Sequence, residues 1–277
     1  MIVNKNYPLK NITTIGLGGH CREYVCPSDQ DDLKNVMKKN PLYIGNGSNI
    51  CFATDYFDGT IVSLKKMDKF ISHDEKYISC SSNVSCTKLA RYLYNNKISG
   101  YEFLYGIPGT LGGAVFMNAG AFEKEIMPLV YCIELLDKNG INHVLFDKDL
   151  TYSYRRSCID NKSIITSIKL HNYQEIFSSK ILNELEIKRR QSQPTNELSC
   201  GCIFKNPSND FAARLIEKAD LKGSRVGGIS ISKKHSNYFI NDGNGTAEDF
   251  INLINNVKEK VLEKYKIKLE EEVIIIK

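Results

Sequence analysis

A few side chains in this chain could move charge or protons, and their neighbours set them apart. Arg155 stands in Tyr154-Arg155-Arg156-Ser157, where a strand-and-turn region closes. A guanidinium there could be a solvated surface charge, or it could grip a carboxylate in a fork of two hydrogen bonds. Cys202 lies between Gly201 and Ile203, with Lys205 nearby. By residue type it is a small buried hydrophobe, yet beside a glycine and near a cation it could be an accessible acid. Glu270, Glu271 and Glu272 precede an apolar run. Like charges in a row suit a solvated turn, but strand alternation would point some of them inward. Lys222, Arg225 and His235 are further groups able to hold phosphates or an anionic substrate.

Three stretches supply backbone rather than side-chain chemistry. They are Thr13-Thr14-Ile15-Gly16-Leu17-Gly18-Gly19, Gly45-Asn46-Gly47-Ser48-Asn49, and the run from Gly106 to Ala121. The last holds five glycines, at 106, 109, 112, 113 and 120. Glycine lets a backbone turn sharply and press close to a neighbour. That neighbour could be a packed helix, or a flat or phosphorylated ligand met by a wall of backbone N–H groups. The 45–49 stretch is not the dinucleotide fingerprint, because the third glycine and the helix after it are missing. Small residues in turn conformation can instead form an anion-binding nest. Three such stretches in the first half suggest one large cofactor with a pyrophosphate.

The elements that must position these groups alternate between strand and helix. Strands are expected at 22–26, 42–44 and 60–64, with a helix capped by Ser28 running to about Lys38. A second unit begins near Lys69 with a strand at 76–80 and a helix at 86–95. Strands at 130–136 and 141–146 are joined through Asn139-Gly140, a hairpin signal, and another strand spans 163–170. A charged amphipathic helix is expected from Tyr173 to about Arg190. Beyond Pro194 come a helix around Ala212 to Ile216, a strand at 238–240, and a long helix from the Thr246 cap to about Tyr265 with Phe250, Leu253, Ile254, Val257 and Val261 in one stripe. A last strand at 273–276 must pair elsewhere, and the N-terminal unit is the expected place.

Size and composition narrow the class. At 277 residues the chain can build two or three domains with real cores. The formal charge of +5 is spread over separate lysines, so it favours an anionic substrate without marking a nucleic-acid surface. No signal-peptide pattern opens the chain, and no apolar run approaches the roughly 18 residues of a membrane span. Nine scattered cysteines are no disulfide framework, and neither Cys200 with Cys202 nor Cys21 with Cys26 has zinc-site spacing with a matching pair. A cytoplasmic protein with reduced thiols and no metal is expected.

In this order the motifs resemble the MurB family, the UDP-N-acetylenolpyruvoylglucosamine reductases of bacterial cell-wall synthesis. The resemblance runs over essentially the whole chain: Thr13-Thr14 with Gly18-Gly19; Gly45 to Asn49; Gly106-Ile107-Pro108-Gly109 through Asn118-Ala119-Gly120-Ala121; Tyr154-Arg155 with Ser157. It continues in Gly201 to Pro207, Leu221-Lys222-Gly223 with Gly227-Gly228, Lys234-His235-Ser236-Asn237, and Leu269-Glu270-Glu271-Glu272-Val273. It implies an α+β protein: a two-domain FAD-binding fold of the vanillyl-alcohol-oxidase type followed by a C-terminal α+β substrate-binding domain. The expected limits are 1–68 and 69–190 for the flavin-binding parts and 191–269 for the substrate domain, with 270–277 returning to the first part.

The activity it implies is reduction of UDP-N-acetylglucosamine enolpyruvate to UDP-N-acetylmuramate, with non-covalent FAD as cofactor and NADPH as co-substrate. Its catalytic positions fall on Arg155, Cys202 and Glu272. Cys202 is a departure, since the family's usual proton donor there is serine. The flavin is expected against Gly45, Asn46, Gly47, Ser48 and Asn49, and against Gly106, Pro108, Gly109, Thr110, Gly112, Gly113, Asn118, Ala119, Gly120 and Ala121. The segment from Ser157 to Pro194 is too short for the tyrosine-bearing insertion of some members, so Tyr154, Lys205, Asn206 and Lys222 are the candidates for holding substrate. Two other classes fit parts of the pattern. Another FAD oxidoreductase of the same flavin fold would lack the third-domain matches, and a non-enzymatic flavin or nucleotide binder would lose Arg155, Glu272 or the donor.

Overall fold

Strand Tyr77–Ser81 shows how the larger sheet is made. Ile78 and Cys80 are fully buried, while Ser79 and Ser81 alternate to the opposite face, as the two-residue period of a strand requires. The sheet is antiparallel, in the order Asn142–Phe146, Val130–Leu136, Ile164–His171, Tyr77–Ser81 and Ile71–His73. Its apolar face packs on the expected helix Cys86–Asn95, whose Cys86, Leu89, Ala90 and Leu93 are buried. The Ser85 hydroxyl caps that helix by accepting from Lys88 N at 3.2 Å.

The structure is a computed structural model that describes residues 1–173 and 177–277. Its chain divides into two units. One comprises Met1–Lys5, Glu23–Gly45 and Gly59–Ile187; the other comprises Asn6–Arg22, Asn46–Asp58 and Lys188–Lys277. Segments 6–22 and 46–58, from the expected first part, group with the C-terminal part. Two bonds explain it. Strand Ile274–Ile276 pairs in parallel with Ile50–Phe52, and the Thr14 hydroxyl donates to Ser199 O at 2.6 Å.

In the first unit, Leu33, Val36 and Met37 of helix Gln30–Met37 bury against Val25, Val62, Leu136 and Ile164. The cap is Asp29, which accepts from Asp32 N at 2.8 Å, rather than Ser28. The Ser28 hydroxyl is already engaged by the N-terminal ammonium at 2.9 Å. The glycine run is also not a wholly extended wall. Leu111–Phe116 forms a short helix capped by Thr110, whose hydroxyl accepts from Gly113 N at 3.3 Å. Leu111, Ala114 and Val115 supply its buried face at helical spacing.

The charged helix is shorter at its start than expected. It spans Ile181–Ser192, and 177–180 are not helical; the part of the expected helix at 174–176 lies outside the described residues. The Ser178 hydroxyl accepts from Lys180 N at 3.4 Å, a local bond that competes with helix, and Ser179 O accepts from the distant Tyr94 hydroxyl at 2.6 Å.

In the second unit, helix Ala247–Tyr265 buries Phe250, Leu253, Ile254, Val257 and Val261, each worth about 2 kcal/mol. They pack with residues of helix Ala212–Lys218 and of the antiparallel sheet Arg225–Val226, Ile229–Ile231 and Phe239–Asn241. A full capping box starts the long helix: Asp249 N donates to the Thr246 hydroxyl at 3.0 Å, and Thr246 N donates to Asp249 Oδ2 at 2.9 Å.

These bonds, led by that from Thr246 N, hold the Asp249 carboxyl below its ordinary 3.8. A folded-state pKa below the unfolded one gives stability that is full above the unfolded value and lost as pH falls through the lowered one. Thr246→Ala should cost about 1 kcal/mol at neutral pH, and Asp249→Asn should lower stability there as well. In denaturant titrations the gap between the native protein and Asp249→Asn should close as the solution is taken well below pH 3.8; a gap independent of pH would show that the carboxylate is not what caps the helix.

Candidate active site

The second unit brings Cys202 and Glu272 onto neighbouring strand segments. On one side of residues 202–204, Cys202 sits opposite Tyr238 in an antiparallel bridge, and Ile203 N donates to Asn237 O at 2.9 Å. The Asn237 side chain then clips the next residue twice: Phe204 N donates to its Oδ1 at 3.0 Å, and its Nδ2 donates to Phe204 O at 2.8 Å. On the other side, Glu272 N donates to Ile203 O at 2.8 Å and Lys205 N donates to Glu270 O at 2.8 Å. Ile203 and Phe204 are buried, with Phe204 edge-on to Phe239 and Phe239 edge-on to Phe250. Core packing on Ile203 and Phe204 therefore fixes the register, and the residue before them, Cys202, is left partly exposed.

Three acids in a row prove to have three different surroundings. Glu270 is 74% exposed and forms a loose pair with Lys205 at 3.8 Å. Glu271 bonds the Lys258 ammonium at 2.8 Å. Burial pushes its carboxyl up, but the Lys258 bond and charge outweigh that and hold it below its ordinary value. Glu272 is partly buried on the segment bonded to Ile203. Its carbonyl accepts from Asn49 Nδ2 at 3.1 Å.

The cysteines separate in the same way. Cys51 and Cys200 are buried, and Cys202 is intermediate. Burial pushes the Cys51 thiol up to about 12 and the Cys200 thiol well above its ordinary value. Of these three, Cys202 is the thiol that a substrate could reach.

The 45–49 loop serves the chain's own packing as well as any ligand. Gly47 has φ +65°, and a Cβ there would lie 1.9 Å from Ile12 O, so only glycine fits. The Asn49 side chain braces Glu272, as above. Among the described residues, however, the backbone N–H groups from Gly45 to Asn49 have no acceptor in the chain. Successive unfilled donors on a turn fit a loop that receives the oxygens of a phosphorylated group such as FAD. In the first unit, Gly45 lies against Thr110: a Cβ at Gly45 would be 2.7 Å from the Thr110 hydroxyl. That contact sets the end of strand Leu42–Tyr43 beside the cap of helix Leu111–Phe116. Gly112 packs on Ser82, whose Cβ would be 2.9 Å from an added Cβ, whereas Gly106, Pro108 and Gly113 are exposed. Gly109 O accepts from Cys86 N at 3.0 Å, and Ala119 O accepts from Ile126 N at 3.0 Å. Ala121 pairs with Lys124.

Arg155, in the first unit, sits at the tip of a two-residue hairpin between Tyr152–Ser153 and Arg156–Ser157. Its φ is +57°, a region that favours glycine. The guanidinium donates to Gly120 O at 3.1 Å, pairs with Glu125 at 3.5 Å and lies over the exposed Tyr154 ring at 4.7 Å. Its side chain is only 16% exposed. Asn118 holds this corner together. Fully buried, it donates to Glu125 Oε2 at 2.8 Å and Ser153 O at 3.0 Å and accepts from Met127 N at 3.2 Å. The Asn118 amide thus supports the hairpin that carries Arg155.

Two of the substrate candidates bond to the chain itself. Asn206 Oδ1 accepts from Ala212 N at 3.0 Å, which helps start helix Ala212–Lys218. Lys222 pairs with Glu217 at 3.0 Å, and the two act on His235, whose pKa burial lowers. Two residues of evident importance were not visible in the sequence. Glu125 joins Asn118 to Arg155 across a hairpin with no motif of its own. Tyr238 follows Lys234-His235-Ser236-Asn237 by one residue, and only the fold sets it opposite Cys202.

Comparison with known proteins finds similarity over the whole chain. Residues 22–141 match the model of an FAD binding domain, and residues 193–276 match the C-terminal domain of UDP-N-acetylenolpyruvoylglucosamine reductase. A UDP-N-acetylenolpyruvoylglucosamine reductase of Fusobacterium nucleatum is 34% identical over 281 residues, covering all of both chains. One of Caldicellulosiruptor saccharolyticus is 37% identical over 280 residues, covering 97% of this chain and 90% of the relative. The crystal structure of the reductase from Thermus caldophilus superposes with a TM-score of 0.84 at 30% identity, again over all of both chains.

The left-handed backbone at Arg155 makes a separable prediction. A non-glycine residue there costs about 1 kcal/mol or more. Arg155→Gly and Arg155→Ala both lose the Gly120 and Glu125 contacts, but only the glycine variant sheds the strain. In denaturant unfolding, Arg155→Gly should be the more stable of the two by about 1 kcal/mol. Equal stability would mean that the turn is not strained.

Proposed function

The chain belongs to the UDP-N-acetylenolpyruvoylglucosamine reductase family, and from that footing we propose that it reduces UDP-N-acetylglucosamine enolpyruvate to UDP-N-acetylmuramate at the expense of NADPH. It is an FAD-dependent oxidoreductase with an α+β flavin-binding fold joined to the family's C-terminal domain. Among the described residues no helix is long and apolar enough to cross a membrane. The proposed substrates are water-soluble, and the cytoplasm is the compartment this function requires.

The observation that carries the proposal is the register around Ile203, with Cys202 before it and Glu272 bonded to its carbonyl at 2.8 Å. This strand segment presents a reachable thiol and a carboxyl from adjacent backbone. FAD, held by the 45–49 loop and by the segment from Gly106 to Ala121, supplies the capacity to carry a hydride from NADPH to the enolpyruvyl group. The substrate then accumulates negative charge on its carboxylate. Arg155, kept in place by Gly120 O and Glu125, meets that carboxylate with a forked donor and stabilises the charged state more than the starting one. Cys202 gives its proton to the carbon next to the carboxylate. A thiol is by its chemistry a stronger acid than the serine hydroxyl. Glu272 shares a proton with the carboxylate and orients it, because an ionised Glu272 there would oppose the developing charge. Tyr154, Lys205, Asn206 and Lys222 are the groups we assign to the rest of the nucleotide sugar.

Purified protein should be yellow and should oxidise NADPH only when the enolpyruvyl nucleotide sugar is added. Arg155→Lys keeps the charge but loses the planar fork, and should lower kcat/KM at least about tenfold. NADPH oxidation that proceeds equally with UDP-N-acetylglucosamine, or not at all with the enolpyruvyl compound, would overturn the assignment.

A further inference from the structure

We propose that Tyr238 is a positioning residue for Cys202: its hydroxyl holds the sulfur in place and receives the thiolate that remains once the proton has gone. The inference rests on the reading of Cys202 as the acid, and the geometry beneath it is independent of that reading. Cys202 and Tyr238 face each other across an antiparallel bridge, which puts their side chains on the same side at about 5 Å between Cβ atoms. Neither backbone is free to slip. Asn237, next to Tyr238, holds Phe204 by the two amide bonds described above. Tyr238 itself donates N–H to His235 O at 2.9 Å and accepts from Ser232 N at 2.9 Å.

The ring is fixed as firmly as the backbone. His235 meets it edge-on, with centroids 4.8 Å apart, and His235 Nδ1 accepts from Asn237 N at 3.3 Å. That bond leaves Nε2 as the protonated nitrogen of the neutral ring. Burial lowers the His235 pKa, so it packs against Tyr238 as an uncharged group near neutrality. The bridge places the Tyr238 ring on the same face as the Cys202 thiol. Burial is the main cause that raises the tyrosine's own pKa, followed by the Cys202 charge; Arg189 from helix Ile181–Ser192 pulls the other way and Glu272 from the C-terminal segment adds to the rise. Tyr238 therefore stays protonated over the working range and can only donate to an ionised sulfur.

Proton accounting follows from this. The Cys202 S–H bond breaks, its proton forms the new C–H bond of the substrate, and the electron pair stays on sulfur. Tyr238 O–H donates to that thiolate without giving up its own proton. A proton from water then restores the thiol. A hydrogen bond that is stronger to thiolate than to thiol lowers the pKa of Cys202 and hastens the transfer.

The test is Tyr238→Phe in the FAD-loaded protein, which keeps the ring and its contact with His235. Alkylation of Cys202 by iodoacetamide is followed across pH by mass spectrometry of its peptide, with the exposed Cys158 read in the same sample. Loss of one hydrogen bond to the thiolate should raise the Cys202 midpoint by about one pH unit and leave the Cys158 midpoint unchanged. NADPH should still bleach the flavin of the variant normally, while its reoxidation by substrate slows about tenfold. A Cys202 midpoint equal to that of the native protein overturns the role of Tyr238. If the midpoint moves as expected but Cys202→Ala reoxidises normally, the contact is real and the reading of Cys202 as the acid fails.

Discussion

The chemistry proposed for the second unit depends on a three-residue segment, 202–204, held by isolated β-bridges outside any named strand. Ile203 and Phe204 are buried in the core and bonded on both edges, to Asn237 on one side and to the backbone of Glu272 on the other. A strand fixed in this way leaves little freedom to the residue that precedes it. Gly201, with φ +80°, turns the chain immediately before Cys202. The thiol thus sits where packing ends and access begins, on backbone fixed by the hydrogen bonds of its neighbours. Such an arrangement limits the reorganisation needed when a proton moves, which is where preorganised sites gain their advantage.

The first unit solves a similar problem with strain. Arg155 occupies a backbone conformation that a glycine would adopt more readily, and it is held there by Gly120 O, Glu125 and the buried amide of Asn118 behind the hairpin. Ser157 adds a hydroxyl bond to Phe116 O at 2.7 Å, which ties the hairpin to the end of the glycine-bearing helix. Residues in unfavourable conformations persist where the surroundings over-determine them, and such sites are often functional. The same helix begins at Thr110, against which Gly45 packs, so the segment with the glycines and the hairpin with the arginine are parts of one connected corner.

Much of this could be read from residues alone. The helix at 86–95, the hairpin through Asn139-Gly140 and the capping box at Thr246 follow from local rules, and they form as expected. The order of the motifs carried the family. Other features depend on contacts between residues far apart in sequence. The helix at 111–116 is hidden by its glycines, whose low helical propensity is overridden by burial of Leu111, Ala114 and Val115. Ser28 looked like a cap until the N-terminus claimed its hydroxyl. Tyr238 and Glu125 carry no local signal, since their importance comes from what lies opposite them. The last strand was expected to pair in the N-terminal part and does so at 50–52, but which residues it meets, more than two hundred positions away, carries no local signal.

The central claim is that Cys202 supplies the proton, and separating the two halves of the reaction tests it most directly. The FAD-loaded Cys202→Ala protein is reduced anaerobically with NADPH and mixed rapidly with the enolpyruvyl nucleotide sugar while flavin absorbance is followed. Bleaching by NADPH should proceed as in the native protein, and the return of absorbance should slow by about a hundredfold or more, the scale of a lost general acid. A return as fast as that of the native protein would contradict the account.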